Sequence, residues 1–397
     1  MSDSEIRRRV EDLPIPDFAS TPFVRPPALA DAMVAIVTTA GLRQDEERNW
    51  RLGDQGFVTL DAANTKTALT HFSPNIDRSG FLADPNVVFP LDRLREREEE
   101  GTIGSVASRH VAFMGAQPDH TLATMRLDTG PAAARLLKED GVDVVVLTPV
   151  CPYCTRAVLT LAHVFEEAGI ATAAISLVKG QSERARAPRV LHCDFPFGRP
   201  LGRPNDPAFQ HRVLGSALEL LDREAGPVLE VFPDRLDEEN VEAAVCEMPP
   251  RFDHTIPPAV DEAVGLLPAY KRCVDRRGST HVGRVVRAEG IPAAVAVLVQ
   301  LANGDPLASV HVPGNDLAAL AADVRWYYEE AATELVQPGA GPKAVDKWIY
   351  ETTELGAVLG RAQDRLRSAG AARDDWFYLC PAERASDPSS DGRAKPN

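Results

Sequence analysis

Apolar residues follow two alternating patterns along roughly the first 230 residues of the chain. Short continuous runs, such as residues 33–38 and 144–147, are rich in valine, which is typical of parallel strands that are buried on both faces. The segment after the second run places Val158, Leu161 and Phe165 at the three- and four-residue spacing of an amphipathic helix. Strand and helix patterns alternate with crossovers of about ten to fifteen residues, which predicts an α/β fold with a doubly wound, mostly parallel sheet.

Changes in this pattern divide the chain into four segments. Residues 1–30 contain five prolines and little periodicity, so we expect an extended N-terminal arm. Residues 31–230 form the predicted α/β domain. After a stretch rich in proline, glutamate and aspartate, residues 255–384 carry helical patterns and are predicted to form a mostly helical accessory domain. Residues 385–397 are polar and rich in serine and proline, which predicts a disordered tail.

Charge and composition argue against several classes of partner. The 397 residues carry a formal net charge of −15 at pH 7, which argues against binding to nucleic acid or to an anionic membrane. The longest apolar stretch, residues 291–301, is too short to cross a bilayer. The first residues lack the apolar core of a secretory signal, and the six cysteines are scattered. We therefore expect a cytoplasmic protein with mostly free thiols.

The most informative motif is the Cys-Pro-Tyr-Cys sequence that contains Cys151 and Cys154. It lies between a predicted strand and a predicted helix, and Cys151 is expected at the helix start, where unpaired backbone N–H groups lower the pKa of a thiol. This placement favours a redox-active dithiol. A zinc site, an iron–sulfur ligand pair and two buried structural thiols are the alternatives. Zinc would need ligands that are distant in sequence, such as His110, His192 or Cys193.

Polar residues follow several other predicted strands, and the carboxyl ends of parallel strands share one cleft. Arg78, in a polar loop, is suited to hold a substrate carboxylate through two hydrogen bonds, with a simple ion pair inside the loop as the alternative. His110 is a candidate base, unless nearby backbone satisfies it. His71, His120 and His163 are interpreted as structural, and no resident metal is expected. The candidate residues are Cys151, Cys154 and His110 for catalysis, and Asp77, Arg78, Ser79, His192 and Cys193 for substrate binding.

Four segments of the chain carry a family resemblance. NIDRSGFLADPNVVFPLDRLRE, EGTIGSVASRHVAFMG, DGVDVVVLTPVCPYC and FPFGRPLGRPNDP occur in this order within residues 30–225. This part of the chain resembles the selenoprotein B family of glycine, sarcosine, betaine and D-proline reductases. The shorter stretch TPVCPYCTRA is also similar to the active site of glutaredoxins, but several strands precede it and no Thr-Val-Pro loop follows at the expected distance.

The resemblance implies an oxidoreductase that acts with a disulfide as acceptor and cleaves a carbon–nitrogen bond next to a carboxylate in a small amino-acid-like substrate. Cys151 would be the nucleophile and Cys154 the resolving thiol, and a thiol–disulfide electron donor would reduce the oxidised pair. The resemblance also implies a partner subunit with a pyruvoyl group, in a homo- or hetero-oligomer, while no cofactor is expected on this chain. The best-known reductases use selenocysteine, whereas this chain has only cysteines. The alternative function is a non-catalytic scaffold subunit whose cysteine pair holds zinc.

Overall fold

The computed structural model confirms the predicted fold class, because an α/β region with a mostly parallel sheet is followed by helices. In the part of the chain that it describes, no helix is long and apolar enough to cross a membrane. The predicted disordered tail, residues 385–397, and the structural role expected for His120 lie outside the described residues. The residues described are 2–44, 50–51, 53–117, 121–236, 242–336 and 340–381.

Strands form a central sheet and a small separate ribbon. The strands of the described residues are β1 (Met33–Thr38), β2 (Leu42–Arg43), β3 (Phe57–Asp61), β4 (Ala68–Leu69), β5 (Ser105–Val106), β6 (Arg109–Phe113), β7 (Val144–Thr148), β8 (Ala171–Ser176), β9 (Arg189–His192) and β10 (Val228–Val231). The sheet has the order β10-β9-β8-β7-β1-β6-β3, and β5 also pairs with β1. Its pairings are parallel except that of β3 with β6. The ribbon is the antiparallel pair of β2 and β4.

The helices of the α/β region include one that the sequence did not predict. The helices are α1 (Asp3–Val10), α2 (Arg78–Ala83), α3 (Leu91–Glu99), α4 (Gly130–Glu139), α5 (Cys154–Glu167), α6 (Lys179–Ala185) and α7 (Pro207–Glu219). The prediction that residues 1–30 are extended is wrong over α1. Ser2 and Glu5 form a reciprocal capping box at its start, and Ile6 and Val10 are buried in the core of the sheet. The burial of these apolar residues stabilises a helix that is too short to be stable alone.

Two short strands, β5 and β6, determine the position of His110. Both strands pair with β1. Strand β5 pairs with Met33 and Val34, and β6 pairs with Val37 and Thr38. His110 therefore lies within β6, whereas the sequence had predicted that it follows a strand.

The region after residue 257 is helical, as predicted. Its helices are α8 (Pro258–Arg277), α9 (Ile291–Asn303), α10 (Leu317–Ala332), α11 (Ala344–Thr352), α12 (Glu354–Ser368) and α13 (Arg373–Phe377). These helices bury their own hydrophobic core, in which Trp326, Tyr327 and Trp348 are large members. Helices α11 and α12 are separated at Thr353, whose hydroxyl accepts a hydrogen bond from Gly356 N as the N-cap of α12.

Candidate active site

Cys151 and Cys154 lie where the chain turns from the buried strand β7 into α5. The Cys154 N–H contacts the carbonyl oxygen of Cys151 at 3.0 Å and its Sγ at 3.1 Å, which closes a tight turn through Pro152 and Tyr153. Because of this turn, α5 begins at Cys154, so the expectation that Cys151 occupies the helix start is wrong. The two sulfurs are 2.8 Å apart, and both cysteines are free.

His71 extends the cysteine pair into a cluster of three. Its Nε2 is 3.3 Å from Cys154 Sγ. Its Nδ1 accepts a hydrogen bond of 3.1 Å from Ser73 N, so the proton of the neutral imidazole is on Nε2, which faces the sulfur. His71 follows the β2–β4 ribbon, and the preceding residue, Thr70, donates its N–H and its hydroxyl to the carbonyl of Gly41. The ribbon therefore positions the imidazole beside α5.

The surroundings shift the pKa values of the two thiols in opposite directions. Burial opposes ionisation of Cys154, but hydrogen bonding from Cys151 and the presence of His71 bring the pKa of the Cys154 thiol well below its ordinary value. Burial and the hydrogen bond to Cys154 raise the pKa of the Cys151 thiol well above its ordinary value. The surroundings therefore favour the negative charge of the pair on Cys154 and the proton on Cys151.

Cys154 is enclosed by backbone on the side of the sheet. Its sulfur is 3.5 Å from the carbonyl oxygen of Thr39, and the residue has no exposed surface. A Cβ atom added at Gly115 would lie 2.6 Å from this sulfur and 2.8 Å from Thr39 Cβ. Glycine is therefore required at residue 115 for the thiol to occupy this position.

Cys151 is buried as well, with an exposure of 1%. It belongs to a core cluster against which Tyr153, and Tyr378 from the C-terminal region, pack, and the ring of Tyr378 is 6.4 Å from that of Phe72. Access of any substrate to the pair therefore requires surrounding side chains to move.

Arg78 holds the segment that carries His71. Its Nη2 donates to the carbonyl oxygens of His71 at 2.6 Å and Ser73 at 2.7 Å, and its Nη1 lies 3.3 Å from a carboxylate oxygen of Glu329 in α10. The structure thus brings Arg78 close to the cysteine cluster through His71. Its terminal nitrogens are engaged by these acceptors, so a substrate carboxylate could bind them only if it displaced one.

Asp77 and Ser79 shape the turn before α2. Asp77 Oδ1 accepts hydrogen bonds from Ser79 N at 3.0 Å and Ser79 Oγ at 2.5 Å. The other oxygen of Asp77 pairs with Arg199 Nε at 2.5 Å and accepts from Lys343 N at 3.1 Å. Asp77 therefore forms an ion pair with Arg199, which lies outside this loop, and the alternative interpretation of an ion pair between Asp77 and Arg78 within the loop is wrong.

His110 is bonded to backbone inside the sheet. Its Nδ1 accepts a hydrogen bond of 3.0 Å from Ile36 N, and the ring of Phe89 contacts it edge-on. Burial, assisted by Arg95, lowers the pKa of His110 to about 3. The geometry matches the alternative in which backbone satisfies this histidine, since the ring is directed to Ile36 and not to the cysteine pair.

His192 and Cys193 are buried at the end of β9. Burial is the main cause that lowers the pKa of His192 to about 4, and burial raises the pKa of the Cys193 thiol. The Cys193 N–H donates to Ser176 O at 2.8 Å. Across the described residues, neither residue is joined to the cysteine pair by a hydrogen bond.

The cluster of His71, Cys151 and Cys154 is also a candidate metal site. One ligand atom from each residue lies within 4.8 Å of the other two, and all three residues are buried. Two thiolates and an imidazole are a ligand set that zinc accepts, with a fourth position left open. The sequence had suggested His110, His192 and Cys193 as additional ligands, whereas the structure places His71 beside the pair.

His71 is the residue of the cluster that the sequence interpretation missed. It had been interpreted as structural, and it is 83 positions away from Cys154 in the chain. A signal was present, because His71 stands two residues before the polar loop of residues 73–80, which contains Arg78. The short ribbon that turns it toward the cysteines has no signature in the hydrophobic pattern.

Comparison with known proteins identifies relatives for the α/β region. Residues 7–150 match the family model described as glycine/sarcosine/betaine reductase selenoprotein B. The chain is 32% identical over 196 residues to the D-proline reductase subunit gamma of Acetoanaerobium sticklandii. This alignment covers 49% of this chain and 79% of that subunit. It is 30% identical over 203 residues to the sarcosine reductase complex component B subunit beta of Peptoclostridium acidaminophilum.

The extent of the match differs between these relatives. The chain spans 45% of the sarcosine reductase subunit, and 50% of the betaine reductase complex component B subunit beta of the same organism, to which it is 30% identical over 231 residues. About half of this chain is aligned in each case. No solved structure was found to match the chain.

Proposed function

Because the chain belongs to the glycine/sarcosine/betaine reductase selenoprotein B family, we propose that it is a reductase subunit that cleaves a carbon–nitrogen bond in a small amino-acid-like substrate. Cys151 and Cys154 supply the two electrons. The observation that carries the proposal is the distance of 2.8 Å between the Cys151 and Cys154 sulfurs, with His71 Nε2 at 3.3 Å from Cys154 Sγ. A thiol beside a base is the arrangement that activates a nucleophile.

The first step uses Cys154 as the base. Cys151 Sγ forms a bond to the substrate carbon while its proton passes to Cys154, and the protonated amine leaves that carbon as a neutral amine. Cys154 is enclosed by Thr39 and Gly115, so Cys151 is the better placed of the two to meet a substrate. This assigns the attack to Cys151, as the family resemblance implies.

The second step releases the reduced product. Cys154 Sγ bonds to the sulfur of Cys151, the carbon–sulfur bond breaks, and the carbon takes the proton that Cys154 gives up. Over the two steps, one carbon–nitrogen bond is replaced by a carbon–hydrogen bond and the amine is freed. The two electrons for this reduction come from the two thiols, which become one disulfide. A dithiol donor then reduces the Cys151–Cys154 disulfide by exchange.

A partner subunit is part of this proposal. The relatives are named as subunits of reductase complexes, and amines are poor leaving groups unless they are activated. We place the activating pyruvoyl carbonyl on another chain, with which this chain forms a hetero-oligomer. Quaternary substrates such as betaine carry a leaving group that is already cationic and would not need that carbonyl.

The experiment is a single-turnover assay with the reduced full-length chain under anaerobic conditions. Glycine, sarcosine, betaine and D-proline are offered separately, with and without the copurified partner. The cleaved amine and the disulfide are measured, and for D-proline, whose nitrogen stays attached to the product, the ring-opened amino acid is measured as the cleaved amine. The proposal expects one Cys151–Cys154 disulfide for each amine released, loss of release in Cys151→Ser, and normal release in the matched control Cys273→Ser. Amine release that continues in Cys151→Ser would contradict it.

A zinc-binding scaffold is the second candidate, favoured by the three converging ligands His71, Cys151 and Cys154. At Zn–S distances of about 2.3 Å, a tetrahedral site separates two sulfurs by about 3.8 Å. The observed 2.8 Å suits a thiol–thiolate pair better than two ligands of one ion. This candidate expects about one zinc ion per purified chain and no disulfide formation with any substrate.

A further inference from the structure

We infer that the C-terminal helical region positions His71 in the cysteine site. Its Arg284 and Glu329 hold the segment of residues 70–73, which places His71 beside Cys154. The inference rests on the proposed function only in taking Cys154 as the functional thiolate. The region lies beyond residues 7–150, which match the family model.

Arg284 provides the first attachment. It follows α8 and precedes α9, and its Nη2 donates to the carbonyl oxygen of Thr70 at 2.8 Å. The same guanidinium lies 3.6 Å from the ring centre of Phe72 and 5.0 Å from that of Trp326 in α10. Arg284 is thus fixed between the two regions, and it contacts the residues immediately before and after His71.

Glu329 provides the second attachment through Arg78. The carboxylate of Glu329 pairs with Arg78, whose other terminal nitrogen bridges the carbonyl oxygens of His71 and Ser73. Glu329 and Arg78 have side-chain exposures of 3% and 1%, so solvent does not screen the pair. Without Glu329, the buried Arg78 would lose the carboxylate with which it pairs, so its bridge to the two carbonyl oxygens should loosen.

These attachments constrain the His71 imidazole through the backbone of the segment that carries it. The carbonyls of residues 70, 71 and 73 are all bound by buried guanidinium groups, and Ser73 N in turn donates to His71 Nδ1. The backbone and the tautomer of His71 are therefore fixed together, which directs Nε2–H to Cys154 Sγ. Loss of either attachment should allow the imidazole to leave the sulfur, and the pKa of Cys154 should then rise.

The test measures ionisation of the thiol and needs no substrate. Full-length variants are titrated anaerobically by ultraviolet thiolate absorbance. Glu329→Ala and Arg284→Ala should each raise the titration midpoint of the low-pKa thiol by about one pH unit, which reduces the thiolate fraction about tenfold well below the midpoint. Glu329→Gln keeps a hydrogen-bond acceptor for Arg78 but not the charge, so it should shift the midpoint less than Glu329→Ala does.

The matched control is Glu262→Ala. Glu262, in α8, accepts hydrogen bonds from Tyr328 and from the backbone at the start of α12, so its loss loosens the helical region without contacting residues 70–73. The control should titrate like the wild type. An equal shift in the control, or unshifted midpoints in folded Glu329→Ala and Arg284→Ala, would overturn the inference.

Two further outcomes are separated by the same experiment. If Glu329→Ala does not fold, Arg284→Lys is measured in its place, because lysine keeps the charge but loses the planar stack on Phe72. An unshifted thiol titration midpoint in Arg284→Lys would then overturn the inference. A wild-type chain with no low-pKa thiol would instead contradict the proposed function.

Discussion

His71 Nε2 lies 3.3 Å from Cys154 Sγ, although the two residues come from different segments of the α/β region. This contact connects the β2–β4 ribbon to the first residue of α5. It also converts a two-cysteine motif into a site with a defined distribution of charge, because the donor on His71 faces one sulfur and not the other.

The first prediction concerns which cysteine is ionised. In Cys151→Ser, the serine hydroxyl can still donate to Cys154, so the low-pKa thiolate should remain. In Cys154→Ser, the remaining Cys151 thiol is buried and has lost its thiolate neighbour, so no thiol should titrate below the ordinary value of about 8.5. Thiolate absorbance against pH distinguishes the two variants, and the opposite pattern would place the charge on Cys151.

The second prediction concerns His71 itself. His71→Ala removes the donor at 3.3 Å and should raise the pKa of Cys154 by about one to two units. His163→Ala is the control, since His163 is also buried but bonds to Ala185 O and stacks on Phe18, within the same region. Alkylation rates of Cys154, followed by peptide mass spectrometry between pH 5 and 9, report the shift. Equal rate profiles for the wild type and His71→Ala would show that the imidazole does not act on the thiol.

The third prediction concerns the space at Gly115. The Cβ of Gly115→Ala would lie 2.6 Å from Cys154 Sγ, so the thiol must move and its contact with His71 should be lost. We expect slower Cys151–Cys154 disulfide formation and a raised pKa of Cys154. Gly360→Ala, within α12, meets nothing within 4 Å and should leave both unchanged. Normal disulfide kinetics in Gly115→Ala would contradict the enclosed geometry.

The fourth prediction concerns His110, which the structure places in the sheet. His110→Ala leaves Ile36 N–H unpaired in the core and should lower the free energy of unfolding by at least about 1–3 kcal/mol at pH 7, without changing titration of the cysteine pair. A shifted thiolate titration in this variant would restore His110 as a site residue.

The pH dependence of the same variant has a defined sign. The pKa of His110 is about 3 in the folded chain and about 6.5 when unfolded, so its contribution to stability is complete above pH 6.5. That contribution is lost as the pH falls from 6.5 toward 3, by up to about 1.4 kcal/mol per pH unit. The difference in unfolding free energy between wild type and His110→Ala, from urea denaturation, should therefore narrow toward acidic pH. A constant difference would show that the pKa of His110 is the same in the folded and the unfolded chain.

The sequence predicted the sheet and the cysteine pair because both have strong local signals. The valine run of β7 and the apolar face of α5 specify a strand and a helix by composition and spacing alone. The helical region was predictable for the same reason. The alternation of these elements was sufficient to identify the fold class.

Features that depend on contacts between distant segments were not predictable. Helix α1 is stabilised by Ile6 and Val10 packing on the sheet, which no local pattern in eight residues reveals. The role of Arg78 was predicted as substrate binding from its loop position, but its partner Glu329 is 251 residues away. His71 was missed because the two-residue strands that orient it are too short to produce periodicity.

The measurement that tests the central claim most directly is an anaerobic redox titration of the full-length chain against a thiol–disulfide buffer, with peptide mass mapping and metal analysis of the same samples. The account predicts one reversible two-electron transition that joins Cys151 to Cys154, with no other cysteine participating and no stoichiometric metal in the reduced protein. Cysteines 151 and 154 that remain unpaired at every potential, or about one zinc ion per chain bound to them, would contradict it.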